Sequence, residues 1–362
     1  MLFFAHRKEE GRMPQTRRRF LGAAAAGVAL AAGGLFKGSA LAEPGTRSGM
    51  PWPSGASSWT PDDFATWRGR PLDVLTTFIT FDTWYQLERL ARPYTLLGKS
   101  LQRPERLVVT LPMFPAKEPP NPNLDPTLWA KVAAGSCADH WRRGMDNLHR
   151  AAPRDDYIFR VGHEWNGGGN FPWVVRDGAY AQGYIESFRL YVGIIREFFP
   201  NALIDWCGMR RTKANADIDA FYPGGDVVDF VGHDHYDRNP AATSLKVWRN
   251  TVNKSGAYGP EGMGAWLAYA KSKNKKMSIP EWAVWSKSGG GAGDNPLFID
   301  QMTAFFAANA DWIGYECYFH QDGGTAQHGI GPNSNNVNPL AGDAYLKRYW
   351  PGPEGLARAA GG

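Results

Sequence analysis

Eight strand-like runs alternate with helix-like ones along residues 43–362, no internal repeat or low-complexity linker divides them, and glutamates close the fourth and seventh runs. That alternation predicts an α/β chain folded as a single (β/α)8 TIM barrel, with its active side chains at the C-terminal ends of the strands. The expected strands are 49–54, 72–80, 106–114, 157–163, 203–209, 227–234, 276–282 and 313–319. Helical patterns fill the gaps between them. Over 179–199, Tyr184, Phe188, Tyr191, Ile195 and Phe198 recur three and four residues apart, which places them on one helix face. A second helix is expected over 126–152, opened by Pro126 and closed by Pro153, as Pro200 closes the first. The competing architecture is a doubly wound open sheet. No Gly-x-Gly-x-x-Gly follows the first strands, so a dinucleotide site finds no support and no cofactor is expected.

Residues 1–42 read as an address. Thr16-Arg17-Arg18-Arg19-Phe20-Leu21 is a twin-arginine pattern, followed by an Ala/Gly/Leu run over 22–36 and the small-residue site Ala40-Leu41-Ala42. The apolar run is too short for a membrane anchor, which needs ~20 residues. The division expected is therefore a leader at 1–42 and one catalytic barrel at 43–362. Export through the twin-arginine machinery to the periplasm or the exterior is implied, with no membrane span in the mature form.

The leader holds seven of the 40 Lys and Arg residues and two of the 35 Asp and Glu, which leaves 33 of each in 43–362. The basic character belongs to the leader, and a neutral balance gives no reason to expect nucleic acid or a membrane surface as partner. Cys137, Cys207 and Cys317 are widely spaced, without a paired metal spacing. Proteins exported already folded leave a reducing cytoplasm, so buried free thiols are expected.

The chemistry is carried by Arg160-Val161-Gly162-His163-Glu164-Trp165-Asn166-Gly167 and Ser278-Ile279-Pro280-Glu281-Trp282-Ala283-Val284-Trp285. Each ends an apolar run on a glutamate beside a tryptophan. A carboxylate in such a place must be partnered, because burying it alone is costly. Strand ends four and seven lie across a barrel mouth from one another, so both side chains reach one bound group. Two carboxyl groups ~5–5.5 Å apart, one protonated and one ionised, are what a retaining glycosidase needs. Arg160, inside strand four, supplies positive charge beneath them, either as a structural ion pair or by acting on the site directly. The glycines 167–169 open the backbone near Glu164 to a substrate.

His163-Glu164-x-Asn166-Gly167 after strand four, Asp234-x-Tyr236 after strand six and Pro280-Glu281-Trp282 after strand seven resemble glycoside hydrolase family 26. The resemblance implies a retaining (β/α)8 enzyme with Glu164 as general acid/base and Glu281 as nucleophile. It further implies that His163 hydrogen-bonds near the cleaved bond, that Tyr236 donates to Glu281, and that Asp234 contacts sugar, with Asn166 in support. The implied substrate is a β-linked polysaccharide, β-1,4-mannan first, then β-glucan, xylan or a bacterial exopolysaccharide. The family follows Asn-Gly with a tight tryptophan cluster; here the chain runs through Gly168, Gly169 and Asn170 to Phe171 and Trp173, so either aromatic is expected to stack on sugar. Trp84, Trp285, Tyr318 and His320 are further candidates for a carbohydrate groove, and Asn333, Asn335, Asn336 and Asn338 form a polar loop near the C-terminus.

Two other classes compete. A metal-dependent hydrolase would draw on His163, Glu164, His233, Asp234 and His235. Strand alternation, however, sends His233 and His235 to one side and Asp234 to the other, and no His-Glu-x-x-His is present, so no metal is expected. A polysaccharide-binding barrel without activity would have no need of both glutamates.

Overall fold

The computed structural model describes residues 45–122, 125, 127–167, 171–322, 326–335 and 337–350. The leader, Pro126, Gly168, Gly169, Asn170 and Asn336 lie outside them. Eight parallel strands close into a barrel: β1 (Ser54–Ser58), β2 (Val74–Thr77), β3 (Arg106–Leu111), β4 (Ile158–Val161), β5 (Leu203–Met209), β6 (Phe230–Tyr236), β7 (Lys276–Ala283) and β8 (Ile313–His320). Each pairs with its sequence neighbours, and β8 closes onto β1. The ten α-helices of the described chain are α1 (Pro61–Arg68), α2 (Trp84–Leu87), α3 (Leu96–Ser100), α4 (Leu128–Ala133), α5 (Ala138–Ala151), α6 (Ala181–Phe198), α7 (Leu245–Val252), α8 (Met263–Ser272), α9 (Pro296–Ala308) and α10 (Pro339–Tyr349). The (β/α)8 expectation is met. None of these helices is long and apolar enough to cross a membrane.

The expected fifth strand matches β5 residue for residue, the seventh starts with β7 and ends one residue short of it, and the sixth lies two to three residues early. The first is misplaced: 49–54 precedes β1, whose sequence Ser-Gly-Ala-Ser-Ser has none of the β-branched or aromatic residues that mark a strand. Trp52, within that run, packs on Phe306 of α9. The single helix expected over 126–152 is two. Gly135, at φ +97, ends α4, its N–H donating to Val132 O at 2.8 Å while Ser136 N bonds Lys131 O, a left-handed stop that restarts the chain as α5.

Alternation inside the barrel builds a gradient from apolar to charged. At the bottom, Val74, Val108, Ile158, Tyr315 and Cys317 form their own cluster, with Leu203 and Phe230 against it. One step up, Asp205 accepts from Ser278 Oγ at 2.8 Å and from the Tyr315 hydroxyl. Nearer the top come Arg160, Cys207, Asp234 and Glu281. The larger core lies between strands and helices and takes most of the tryptophan load. Trp129, Trp141, Trp165, Trp173, Trp206, Trp266 and Trp282 are all fully buried, so these rings hold the barrel together and leave few for a groove.

Candidate active site at the barrel mouth

Glu281 reaches the barrel interior because β7 carries a bulge. Gly232 of β6 pairs with Ser278, yet His235 pairs with Trp282, and against β8 the partners of Glu316 and Tyr318 are Ile279 and Trp282. One extra residue therefore sits on β7 between Ile279 and Trp282. Without it, Ser278 and Glu281, three apart, would face opposite sides. With it, Ser278 bonds Asp205 inside, Glu281 also turns inward, and Trp282 turns outward to donate its indole N–H to Glu316 Oε2 at 2.6 Å. Pro280, which has no N–H to offer a ladder, occupies the irregular stretch, and its carbonyl accepts from Thr76 Oγ1 at 3.1 Å.

Glu164 is placed by a second irregularity. After β4 the backbone turns through Gly162 at φ +55 and Glu164 at φ +53. A Cβ on residue 162 would lie 2.9 Å from Met113 Sδ, so glycine is required there on both counts. For glutamate the left-handed region costs roughly 1–2 kcal/mol, a strain of the kind that gathers at functional positions. The turn is held by Gly162 N to Leu111 O and Glu164 N to Cys207 O, both 2.9 Å, which continue the β3–β4–β5 ladder past the strand end. Asn166 is fully buried and locks the same turn to β5: its Oδ1 accepts from Met209 N at 2.8 Å and its Nδ2 donates to Met209 O and Thr212 Oγ1. It is a support and has no face for sugar.

The carboxyl groups sit in different surroundings. Both Glu281 oxygens are engaged: Arg160 Nη1 donates to Oε1, and the Tyr236 hydroxyl donates to Oε2 at 2.5 Å. Arg160 is fully buried and its Nη2 donates to Asp234 Oδ2, with Thr110 Oγ1 3.4 Å from Nη1. Burial opposes the charge on Arg160, but Asp234, Cys207 and Glu281 outweigh it and hold the guanidinium above its ordinary pKa. Burial drives the Tyr236 hydroxyl well up, with the Glu281 charge adding to it, so it stays a donor. Glu164 is part-exposed and, among the described residues, has no such donors. Burial, then the charge of Glu281, pushes its pKa up to about 7, against the pull of Arg160 and Arg238. Asp234 is raised by burial against the pull of Arg160.

His163 is buried, its pKa held well below the ordinary value by burial and then by Arg160, so its ring is neutral. Its ring packs 4.8 Å from Phe171 and 5.2 Å from Trp173, and its carbonyl accepts the Trp173 indole N–H at 2.7 Å. Trp285 stands edge-on 5.1 Å from Tyr236 and belongs to the mouth.

Several expectations are corrected. Trp173 is fully buried beneath Phe171, ring centroids 4.8 Å apart and nearly parallel, so it offers no sugar platform; Phe171 is the outer ring. Asp234, sealed against Arg160, has no surface for sugar. Tyr318 and His320 face away from the barrel axis. Tyr318 donates to His328 O, and His320 is tied through Nε2 to Pro332 O and through Nδ1 to Ile330 N, while Phe64 covers its ring. The inward residue is Phe319, which continues the Tyr315–Cys317 alternation. Trp84 is stacked on His140 with its N–H on Pro119 O, and no described contact carries it to the carboxyl pair. Gly167 is buried against Met209 Sδ and gives its N–H to Glu164 O, so it opens no backbone to a substrate. His233 and His235, 3.0 Å apart, face outward onto Trp266 and Phe298, away from Asp234. Among the described residues no group of three or more His, Cys, Asp or Glu is placed to hold a metal ion. All three cysteines are buried and free.

Four residues at the mouth went unnoticed in the sequence. Phe78 and Phe319 meet edge-on at 5.8 Å, and Phe319 meets Tyr236 at 6.0 Å, so an aromatic arc runs from β2 across β8 to β6. His328, its Nδ1–H on Val284 O at 2.7 Å, lies 4.9 Å from Tyr236, and Arg238 stacks over Trp285. Alternation along β8 marks Phe319; the others stand on loops, where no periodicity marks them.

The fold and this site define a (β/α)8 barrel with a carboxyl pair at its mouth, one group held by donors and the other without them among the described residues. Solved structures of the same fold include GH26C from a Muricauda species (TM-score 0.56, 14% identity, 84% of this chain and 86% of that one) and an endo-β-1,4-mannanase double mutant from Cellulomonas fimi (0.53, 18%, 80% and 66%). A GH26 β-mannanase from Bacteroides ovatus is similar too (0.52, 14%, 82% and 85%). In sequence, 175 residues, 46% of this chain, are 29% identical to a mannan endo-1,4-beta-mannosidase of Bifidobacterium adolescentis, and the match spans 16% of that protein. The solved structures, at 14–18% identity, share the barrel fold with this chain, and the sequence likeness reaches less than half of it. No family model matches the chain.

Proposed function

We propose that residues 43–362 form a retaining, endo-acting β-glycosidase of the family 26 type, cleaving a β-linked polysaccharide with β-1,4-mannan as the first candidate. The observation that carries this reading is the contrast between the two glutamates. Glu281 has a guanidinium and a hydroxyl donating to its two oxygens, while Glu164, without such donors among the described residues, is pushed up to about 7 by its partial burial and then by the charge of Glu281. Paired carboxyl groups with separated pKa values are what acid and nucleophile roles require.

Glu164, protonated, gives its proton to the leaving oxygen as Glu281 attacks the anomeric carbon. Glu164, now a carboxylate, then takes a proton from water as that water displaces Glu281. Arg160 and Tyr236 orient Glu281 and receive its charge again when the glycosyl–enzyme bond breaks. His163, neutral and packed against Phe171 and Trp173, keeps a buried ring nitrogen, Nδ1, without a partner among the described residues. The names borne by the similar proteins support mannan, and the buried Trp173 makes the sugar the least constrained part of the reading. We further propose that residues 1–42 route the folded enzyme through the twin-arginine machinery to the periplasm or exterior; replacing Arg17 and Arg18 with lysine is expected to leave the protein in the cytoplasm.

The test is a reducing-sugar screen of the protein lacking the leader on mannan, glucomannan, lichenan, xylan and bacterial exopolysaccharides. At least one polymer is expected to be cut, with Glu164→Ala and Glu281→Ala each removing nearly all activity while folding normally. Activity that survives both substitutions refutes the assignment.

A further inference from the structure

We infer that the sugar bound beside Glu164 carries a carboxylate and that Arg238 recognises it. This rests on the glycosidase reading and adds the substrate class. Arg238 follows Tyr236 by two residues, and its backbone is pinned. Its N–H donates to Tyr236 O at 2.7 Å, its carbonyl accepts from Arg210 Nη1 at 3.0 Å, and it bridges to Gly291. Its guanidinium lies 4.1 Å over the Trp285 ring, which touches Tyr236, the donor to Glu281. The cation is thus seated two side chains from the nucleophile, and its charge acts on Glu164 and on His328.

Among the described residues this guanidinium has no hydrogen-bond or ion-pair partner. The neighbouring Arg211 is neutralised by Glu261, Nε to Oε1 at 3.0 Å. Arg210, just past β5, spends its Nη1 on backbone carbonyls, with Glu261 and Asp237 as the carboxylates that act on its charge, so of these three arginines it is Arg238 whose guanidinium is left without a protein partner. Stacking on Trp285 occupies the face of the guanidinium and leaves its N–H edge open, the edge that matches a carboxylate with two parallel hydrogen bonds. An unbalanced cation there also works against the enzyme. It pulls the Glu164 pKa down, when Glu164 must hold its proton to act as the acid. A carboxylate on the bound sugar cancels that pull at the moment the acid is needed.

The probe is a matched pair of polymers, mannan and the same mannan partly oxidised to carboxylate at C6, with β-glucan and its C6-oxidised form beside them. At low salt the wild-type kcat/KM is expected to be about tenfold or more higher on the oxidised member of the pair that is cut. That ratio should shrink as salt is added, collapse toward one in Arg238→Gln, and recover partly in Arg238→Lys. Equal rates on both members, or a preference for the parent polymer, overturn the inference and leave the glycosidase reading standing. If none of the four is cut, that result counts against the hydrolase reading for these backbones. Affinity electrophoresis of Glu164→Gln then decides the inference: retardation by oxidised polymer alone sustains it, and equal or absent retardation overturns it.

Discussion

Arg160→Met removes the one cation shared by Asp234 and Glu281 and keeps a side chain of similar length in the barrel. Arg160 is fully buried, as is the Asp234 side chain, and Glu281 is only 10% exposed, so water replaces little of what Asp234 and the inner oxygen of Glu281 lose. Taking one partner from a buried ion pair costs roughly 3–5 kcal/mol, because the other is left uncompensated. In a chain of this size each kcal/mol moves the melting temperature by about 2 °C, so a drop of roughly 6–10 °C is expected by calorimetry. Most of the loss comes from the carboxyl groups left behind. Adding Asp234→Asn to Arg160→Met should therefore recover several degrees, and adding Glu281→Gln should recover more, so that the changes are strongly non-additive. An Arg160→Met protein that melts within a degree of wild type, or a double variant that melts at the sum of the single losses, refutes the view of the interior as one electrostatic unit.

Under the proposed scheme activity should fall as pH rises through about 7, where Glu164 loses the proton that scheme has it donate, and the position of that limb follows from its raised pKa. A group whose folded pKa is raised stabilises the fold only while protonated. Glu164→Gln should therefore melt higher than wild type at pH 8 and match it near pH 4, as read by thermal denaturation. Tyr236→Phe removes one donor to Glu281 and is expected to lower kcat roughly 10- to 100-fold with little change in KM, since a hydrogen bond to a charged group is worth about 1.5–3 kcal/mol; an effect confined to KM contradicts the orienting role. Trp173→Ala should cost about 3–5 kcal/mol in denaturant unfolding, as a core residue does, rather than acting on sugar binding alone. Activity is expected to persist in a strong chelator, and reversible loss restored by added metal contradicts the two-carboxylate scheme.

How much of this was legible depended on the residue. Strands such as β5 announce themselves through apolar runs, and the count that puts Glu164 and Glu281 at β4 and β7 survives errors of a few residues at strand ends. β1 does not announce itself, because a strand of Ser, Gly and Ala is specified by its neighbours in the closed barrel. The direction of a side chain was harder. Period-two alternation assigns Arg160, Cys207, Asp234 and Phe319 to the interior, but Glu281 faces in only through the bulge at Pro280, which alternation alone forbids. Trp173 was misread for a related reason. Sequence shows that a tryptophan follows the glycines, and only packing shows that Phe171 covers it. Loop residues such as Arg238 and His328 reach the mouth by long-range closure, which leaves no local trace.

In the proposed function Glu164 and Glu281 carry out a double displacement. The most direct test is a proton NMR time course that records which anomer of the new reducing end forms first from a cleaved oligosaccharide. The two-step scheme predicts that the β-anomer appears first and then mutarotates. First appearance of the α-anomer means a single inverting displacement, in which Glu281 serves as a base, and it contradicts the account.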